Sequence, residues 1–330
     1  MKKLFYRFIA LTLLLVTLLD VPCAVAEDDP YASRGAPNPI PVLSMDEIPP
    51  TLEGVHHYML ICIDEWDAKA DDIGHTDGMV LLTVDTVERR VMLTSFIRDM
   101  LIQRPDGEFG RLNNVAMYFG ANQAGIEALV NTINTHFALR IEKYIVVDFR
   151  QVERIVDAVG GVDITITDSE AEYLKNYRIS ASSTTPAIAY GGTYHFSGHA
   201  AVIYMRIRKR KTLSGATQDV GRTERARTVL STIADSLKDV TYEDAVRLMD
   251  VVLENTVLTN MTAADMTEAL TIALDLKGTP VEGIRMPIDG TYELWPVAHM
   301  ATQQIDFVKN RQALDEFLFG GFTVRTGSED

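Results

Sequence analysis

Apolar positions along this chain come in two spacings. His57 to Ile63, Met79 to Val84 and Val91 to Ile97 are short dense runs rich in β-branched side chains, and they read as buried strands. Tyr144 to Val147 and Val162 to Ile166 repeat that pattern. Gln123 to Phe137 instead places Ile126, Leu129, Val130 and Ile133 three or four apart, which lines up one face of a helix. Phe149 to Val159 does the same with Val152, Ile155, Val156 and Val159, and Gly160-Gly161 ends it. A shorter helical piece runs from Arg111-Leu-Asn-Asn to Phe119. Further on, Tyr242 to Leu253 and Ala263 to Leu276 are amphipathic helices, Ile284 to Met286 is a short strand, and Thr302 to Phe319 holds a last helix. Strands that alternate with helices predict an α/β fold: a central mixed β-sheet covered by helices on both faces, an α-β-α sandwich.

The N-terminal stretch departs from this pattern. Met1 to Ala26 sets Lys2, Lys3 and Arg7 before the apolar run Phe8 to Leu19 and closes on Ala24-Val25-Ala26, the three-part plan of a secretory signal. Left uncleaved and read through to Ala26, the same stretch is a membrane anchor; a lipoprotein at Cys23 fits poorly beside Asp20 and Pro22. Each of these addresses places the remainder outside the cytoplasm. Residues 27–52 carry Pro30, Pro37, Pro39, Pro41, Pro49 and Pro50 among acidic residues, six of the 12 prolines, and are expected to form an extended tether. Residues 53–240 are then the catalytic domain, and 241–330 a mainly helical part packed on it. After signal removal Cys62 is the one cysteine left, so the exported fold is expected to stand without an internal disulfide.

The formal net charge is -15, which argues against nucleic acid as a partner. Against that background Tyr204 to Arg227 is cationic, holding Arg206, Arg208, Lys209, Arg210, Lys211, Arg222, Arg225 and Arg227, eight of the 31 Lys and Arg residues. Read as extended, Tyr204 to Arg208 puts Tyr204, Arg206 and Arg208 on one face. Asp219 reads as the cap of a helix whose first turns carry Arg222 and Arg225, continued by the stripe Val229, Leu230, Ile233, Ala234 and Leu237. Planar guanidinium forks suit phosphate oxygens, and four of them at 206, 208, 222 and 225 imply more than one phosphate. A second constellation comes from strand pairing. A hairpin centred near Val87 and Glu88 makes facing residue numbers sum to about 175, so Asp77 lies opposite Arg98-Asp99. Two carboxylates at one end of a hairpin are a seat for Mg²⁺, which completes its shell with water and phosphate. P-loop, dinucleotide-binding and nucleophile-elbow motifs do not occur, and the HFSGH run at His195 and His199 lacks the surroundings of a zinc site.

Taken in order, these pieces resemble the LytR-CpsA-Psr family over about residues 55–240. They are Asp77-Gly-Met, Arg98-Asp99, Arg111-Leu-Asn-Asn, Tyr144 with Asp148-Phe149, Val156 to Val162, Tyr194-His195-Phe196-Ser197-Gly198, Tyr204-Met-Arg206-Ile-Arg208 and Asp219-Val-Gly221-Arg222-Thr-Glu-Arg225. The resemblance implies an extracytoplasmic phosphotransferase that moves a glycopolymer from a polyprenyl-pyrophosphate carrier onto peptidoglycan at the membrane surface. It implies Mg²⁺, with Mn²⁺ as a substitute, at Asp77 and Asp99, and pyrophosphate held by Arg98, Arg111, Arg206, Arg208 and Arg222, with Arg225 a weaker carry-over. Asp99 is a metal ligand or the general base towards the acceptor hydroxyl. Phe149, Val152 and Ile155 line the lipid or belong to the core. Two positions depart from the family pattern: Ile97 stands where Pro is usual before Arg-Asp, and Ala226 where Gln is common. A hydrolase of the same lipid pyrophosphate, and an envelope protein that binds glycan or lipid phosphate without turnover, are the competing readings.

Overall fold

A computed structural model describes residues 36–176, 188–297 and 300–320. The elements run β1 (Val55–Ile63), β2 (Thr76–Asp85), β3 (Arg90–Phe96), β4 (Leu101–Gln103), β5 (Phe109–Arg111), α1 (Val115–Tyr118), α2 (Gln123–Phe137), β6 (Lys143–Val147), α3 (Phe149–Ala158), β7 (Val162–Ile166) and α4 (Asp168–Leu174). The second half adds β8 (Gly192–Phe196), α5 (Gly198–Met205), α6 (Gln218–Ser236), α7 (Tyr242–Glu254), β9 (Leu258–Thr259), α8 (Ala263–Asp275), β10 (Val281–Met286), β11 (Tyr292–Leu294), β12 (Gln303–Ile305) and α9 (Phe307–Phe319).

Six strands form one mixed sheet in the order β10-β3-β2-β1-β6-β9. The central β1-β2-β3 meander is antiparallel, β6 and β10 lie parallel to β1 and β3, and β9 closes the other edge antiparallel to β6. The register of β2 on β3 is Val80↔Ser95 and Leu81↔Thr94, so facing numbers sum to the expected value. Pleating then sorts the side chains. Met59, Ile61, Met79, Leu81, Met92, Phe96, Tyr144 and Val146 pack with Ile126, Leu129, Ile133, Phe137, Leu314 and Leu318 of α2 and α9 on one face. On the other face Tyr58 meets Met261 and Met266 near α8, and α6 crosses β2, β3 and β10. Helices therefore cover both faces, as the alternation of spacings predicts.

A second apolar cluster joins the β7–β8 hairpin, α5 and Val229 of α6 through Ile164, Phe196, Ala201, Ile203 and Ile207. The C-terminal part supplies β9, β10 and α9 to the main body, so it completes the sheet and its core. Part of the expected tether is also docked. Ile48 is 2% exposed, Leu43 N–H donates to Thr135 O at 3.0 Å, and Arg140 donates to the carbonyls of Met45 and Ile48 at 2.8 and 2.7 Å. Proline spacing announced an extended backbone there, but the carbonyls of that backbone are taken up by arginines of the domain. The signal or anchor expected within residues 1–26 lies outside the described residues. Among the described residues no helix is long and apolar enough to cross a membrane.

Candidate functional site

The polar end of the β2–β3 hairpin gathers most of the charged residues singled out above. Asp77, the second residue of β2, is 8% exposed, and its Oδ2 accepts from Arg98 Nη1 and from Arg222 Nη1 (3.0 Å for the latter). Its Oδ1 accepts from Asn113 Nδ2 at 3.0 Å. Asp99, also 8% exposed, lies 3.5 Å from both Arg98 Nε and Arg111 Nη1 through Oδ1. Asp219 joins from α6: its Oδ1 is 3.4 Å from Arg98 Nε and 3.2 Å from Arg222 Nη2, and its Oδ2 accepts from Arg208 Nη2 at 3.1 Å. Arg206 reaches Asp64, the residue after β1, at 3.7 Å. Five arginines and four carboxylates thus interleave in one network, with Arg206 and Arg208 at its open side.

The network sets the protonation of its acids. Burial opposes the Asp77 carboxylate, but Arg222 and Arg98 outweigh it and hold the group below the usual carboxylate range. Asp219 is likewise lowered, burial being overcome by Arg222 and Arg98. Asp99 goes the other way: burial, then the charge of Asp219 beside it, pushes it up to about 6. Asp64 is raised by burial and by Asp77. Asp99 Oδ1, Asp219 Oδ1, Arg98 Nε and Arg111 Nε are buried and make no hydrogen bond in the described structure. Adjacent carboxylate oxygens of this kind suit a hard divalent cation. Among the described residues no three His, Cys, Asp or Glu converge on one point, so such a cation would complete its shell with water and phosphate oxygens.

Three local expectations are corrected. Tyr204 to Arg208 is not a strand. Tyr204 and Met205 end α5, Arg206 caps it in αR conformation, and Tyr204 is buried at 4% exposure against Phe196. The apolar run Ala200 to Tyr204 is buried throughout, which favours a helix on the β7–β8 hairpin, and buried Ile207 between Arg206 and Arg208 turns both arginines outward. Asp219 does not cap α6; Thr217 is the N-cap, and Asp219 in the first turn is spent on arginines. Val229 of the α6 stripe is buried, whereas Leu230, Ile233, Ala234 and Leu237 are half-buried. Arg225 points away from the site and is fully buried, with Nε on Glu170 Oε1, Nη1 on Ile207 O and Nη2 on Arg210 O, each at 2.7 Å. With all three nitrogens engaged and the side chain 0% exposed, that guanidinium is closed to a pyrophosphate. Asp64 was missed by sequence reasoning, and Asp219 was read only as a cap. The charge pattern held a signal for Asp219, since it precedes Arg222 by three residues in the first turn of a helix.

The LytR_cpsA_psr family profile matches residues 54–314, and this chain belongs to that family. Among its relatives is the polyisoprenyl-teichoic acid–peptidoglycan teichoic acid transferase TagU of Oceanobacillus iheyensis, 27% identical over 237 residues, or 70% of this chain and 66% of the relative. TagV of Bacillus subtilis, a transferase of the same description, is 23% identical over 178 residues, covering 53% of this chain and 42% of that one. Biofilm regulatory protein A of Streptococcus mutans is 26% identical over 183 residues, 52% of this chain and 40% of its own length. The match therefore spans between two fifths and two thirds of these relatives. Among solved structures, TagT bound to LIIa-WTA superposes with a TM-score of 0.64 at 20% identity, covering 87% of this chain and 96% of that one. The crystal structure of Bacillus subtilis TagV superposes at 0.61 and 20% identity over 81% and 98%. At that identity the superpositions establish the shared fold.

Proposed function

We propose that this protein is a phosphotransferase that moves a glycopolymer from a polyprenyl-pyrophosphate carrier onto a hydroxyl of peptidoglycan, outside the cytoplasm and with Mg²⁺. The observation that carries this reading is the interleaved network of Asp64, Asp77, Asp99 and Asp219 with Arg98, Arg111, Arg206, Arg208 and Arg222. A site that only bound anions would gain nothing from three buried carboxylates. An anion that displaces carboxylates from guanidinium groups while a cation takes the carboxylates gains from every one of them. Family membership and the transferase names of the relatives support the same reaction class.

In this reading an acceptor hydroxyl attacks the phosphorus that bears the sugar. A new P–O bond forms, the bridging P–O bond of the pyrophosphate breaks, and its electron pair leaves with polyprenyl phosphate. Arg206 and Arg208, the more exposed pair, receive the pyrophosphate, and Arg98, Arg111 and Arg222 face its oxygens from below. The acceptor proton passes to water at the open side of the site, since Asp99 is given to the cation. Asp77 and Asp99 would hold Mg²⁺, which would supply positive charge beside the equatorial oxygens, with water and phosphate completing its shell.

The test is incubation with a synthetic polyprenyl-pyrophosphate oligosaccharide and peptidoglycan fragments, with Mg²⁺ or EDTA, beside Asp99→Ala and Arg206→Ala. Joining of glycan to fragment that needs Mg²⁺ and is lost in both variants is the expected result. Release of polyprenyl phosphate without joining would make the protein a hydrolase. Binding without turnover, unchanged in Asp99→Ala, would leave a binding protein.

A further inference from the structure

Two large aromatic side chains lie beside Arg206 and belong to none of the three apolar clusters of the fold: half-buried Trp66, and behind it Phe149, which is 8% exposed. Their rings meet edge to face, centroids 5.5 Å apart and planes at 65°. Arg206 Cζ lies 4.6 Å from the Phe149 ring centroid and 5.9 Å from that of Trp66. The His199 ring flanks the indole at 6.1 Å and 34°, and its Nδ1 is 2.5 Å from Glu153 Oε1. The loop that carries Trp66 is fastened to the start of α3. Phe149 N–H donates to Glu65 O at 3.0 Å, and Ala68 N–H to Asp148 Oδ2 at 2.9 Å. The indole is therefore held in place, half-buried, without contributing to any of the apolar cores.

We propose that Trp66, with Phe149, Arg206 and His199, is a carbohydrate subsite that takes the sugar ring joined directly to the donor pyrophosphate. The proposal rests on the reaction assigned above and adds the place of its sugar. Arg206 fixes that place, because it belongs both to the phosphate network and to the aromatic group. A ring one bond from a phosphate on Arg206 falls against the indole. The chemistry of the rim selects a sugar over the isoprenyl chain. Glu153, His199 and Asp64 surround the aromatics, and a hydrocarbon laid there would desolvate them without returning hydrogen bonds. A pyranose ring offers them hydroxyls, while its axial C–H groups meet the electron-rich face of the indole. Aromatic side chains with a few convergent polar groups are the usual lining of small-molecule sites.

The full chain is titrated with inorganic pyrophosphate, farnesyl diphosphate and a farnesyl-diphosphate-linked N-acetylhexosamine. Trp66→Ala should weaken the sugar-bearing probe up to about tenfold, the upper range for one aromatic contact, and leave the other two within about twofold; Trp66→Phe should keep most of the affinity. The chain has two tryptophans, so in a Trp295→Phe background the indole emission of Trp66 should shift with the sugar-bearing probe and not with farnesyl diphosphate. That readout stands even if Trp66→Ala fails to fold. Equal weakening of farnesyl diphosphate, or an emission shift with it, would make this a lipid contact and overturn the proposal. Unchanged affinities and emission for all probes would overturn it too, with pyrophosphate binding intact. A wild-type chain that bound none of the three would instead sink the reaction assigned above, and the subsite with it.

Discussion

Arg206 and Arg222 show how one residue type does two jobs in this network. The Arg206 side chain is 42% exposed and meets Asp64 only at 3.7 Å, so its removal strands little buried charge. Arg222→Ala instead takes one of two guanidinium partners from Asp77 and one from Asp219. We expect Arg206→Ala to lower transfer about 10²-fold or more, by the measure of a lost oxyanion donor, with an unchanged urea midpoint. Arg222→Ala should lower both transfer and the midpoint; equal stability of the two variants would contradict the buried role given to Arg222. Arg225 is the third case. It and Glu170 are 0% and 1% exposed, and the pair fastens the carbonyls of Ile207 and Arg210, hence the turn that carries Arg208. Arg225→Ala should cost about 3–5 kcal/mol, since it leaves Glu170 as a buried unpaired charge. The double variant with Glu170→Ala should cost less than the two single losses added, in urea unfolding; simple additivity would mean that the two side chains do not act as a pair.

Elements of this fold are legible where neighbours in sequence are neighbours in space. The β2–β3 hairpin is such a case: its facing numbers sum to 175 at Val80↔Ser95, and that register alone brings Asp77 to Arg98. The α2 boundaries agree for the same reason, a local period over fifteen residues. Tyr204 to Arg208 failed because five residues fit a period of two and of 3.6 equally well, and only the packing of α5 against α3 and α6 decides. Arg225 failed because its partner is 55 residues away in a helix cap, Thr167 to Glu170, and charge counting does not tell a spent guanidinium from a free one. The edge strand β10 pairs with β3 across about 190 residues of chain, beyond any local signal. One contact between elements is tight enough to test directly. A Cβ on Gly198, at the start of α5, would sit 2.0 Å from Glu153 O of α3, and Gly198 N–H donates to Asp157 Oδ1 at 2.7 Å. We expect Gly198→Ala to cost about 3 kcal/mol, the upper range for overpacking, and to move His199 and Glu153 with the displaced helix; an unchanged thermal midpoint would show that the two helices part freely.

At the scale of the whole molecule, stability should fall on acidification through groups far from the site. His57 lies near the N-terminal end of β1, 7% exposed, with Nδ1 2.9 Å from Thr83 Oγ1. Burial, then the neighbouring His56, brings it down to about 4. His136 at the end of α2, 1% exposed between α9 and the Thr132 carbonyl, is brought to about 4, again chiefly by burial. Both groups stay neutral in the folded chain between their unfolded value of 6.5 and about 4, while the unfolded chain takes up protons across that window. Their contribution is present in full above pH 6.5 and is lost as pH falls towards 4, on the order of 2–3 kcal/mol for each histidine. Asp77 and Asp219, held low by arginines, add a loss of the same sign below the ordinary carboxylate range, whereas Asp99, raised to about 6, works the other way between its folded and unfolded values. Urea unfolding at pH 7.0, 6.0 and 5.0 should therefore show a falling free energy, and a chain carrying His57→Gln and His136→Gln should lose most of that slope. A slope unchanged in the double variant would move the acid sensitivity from these two buried imidazoles to the carboxylate network.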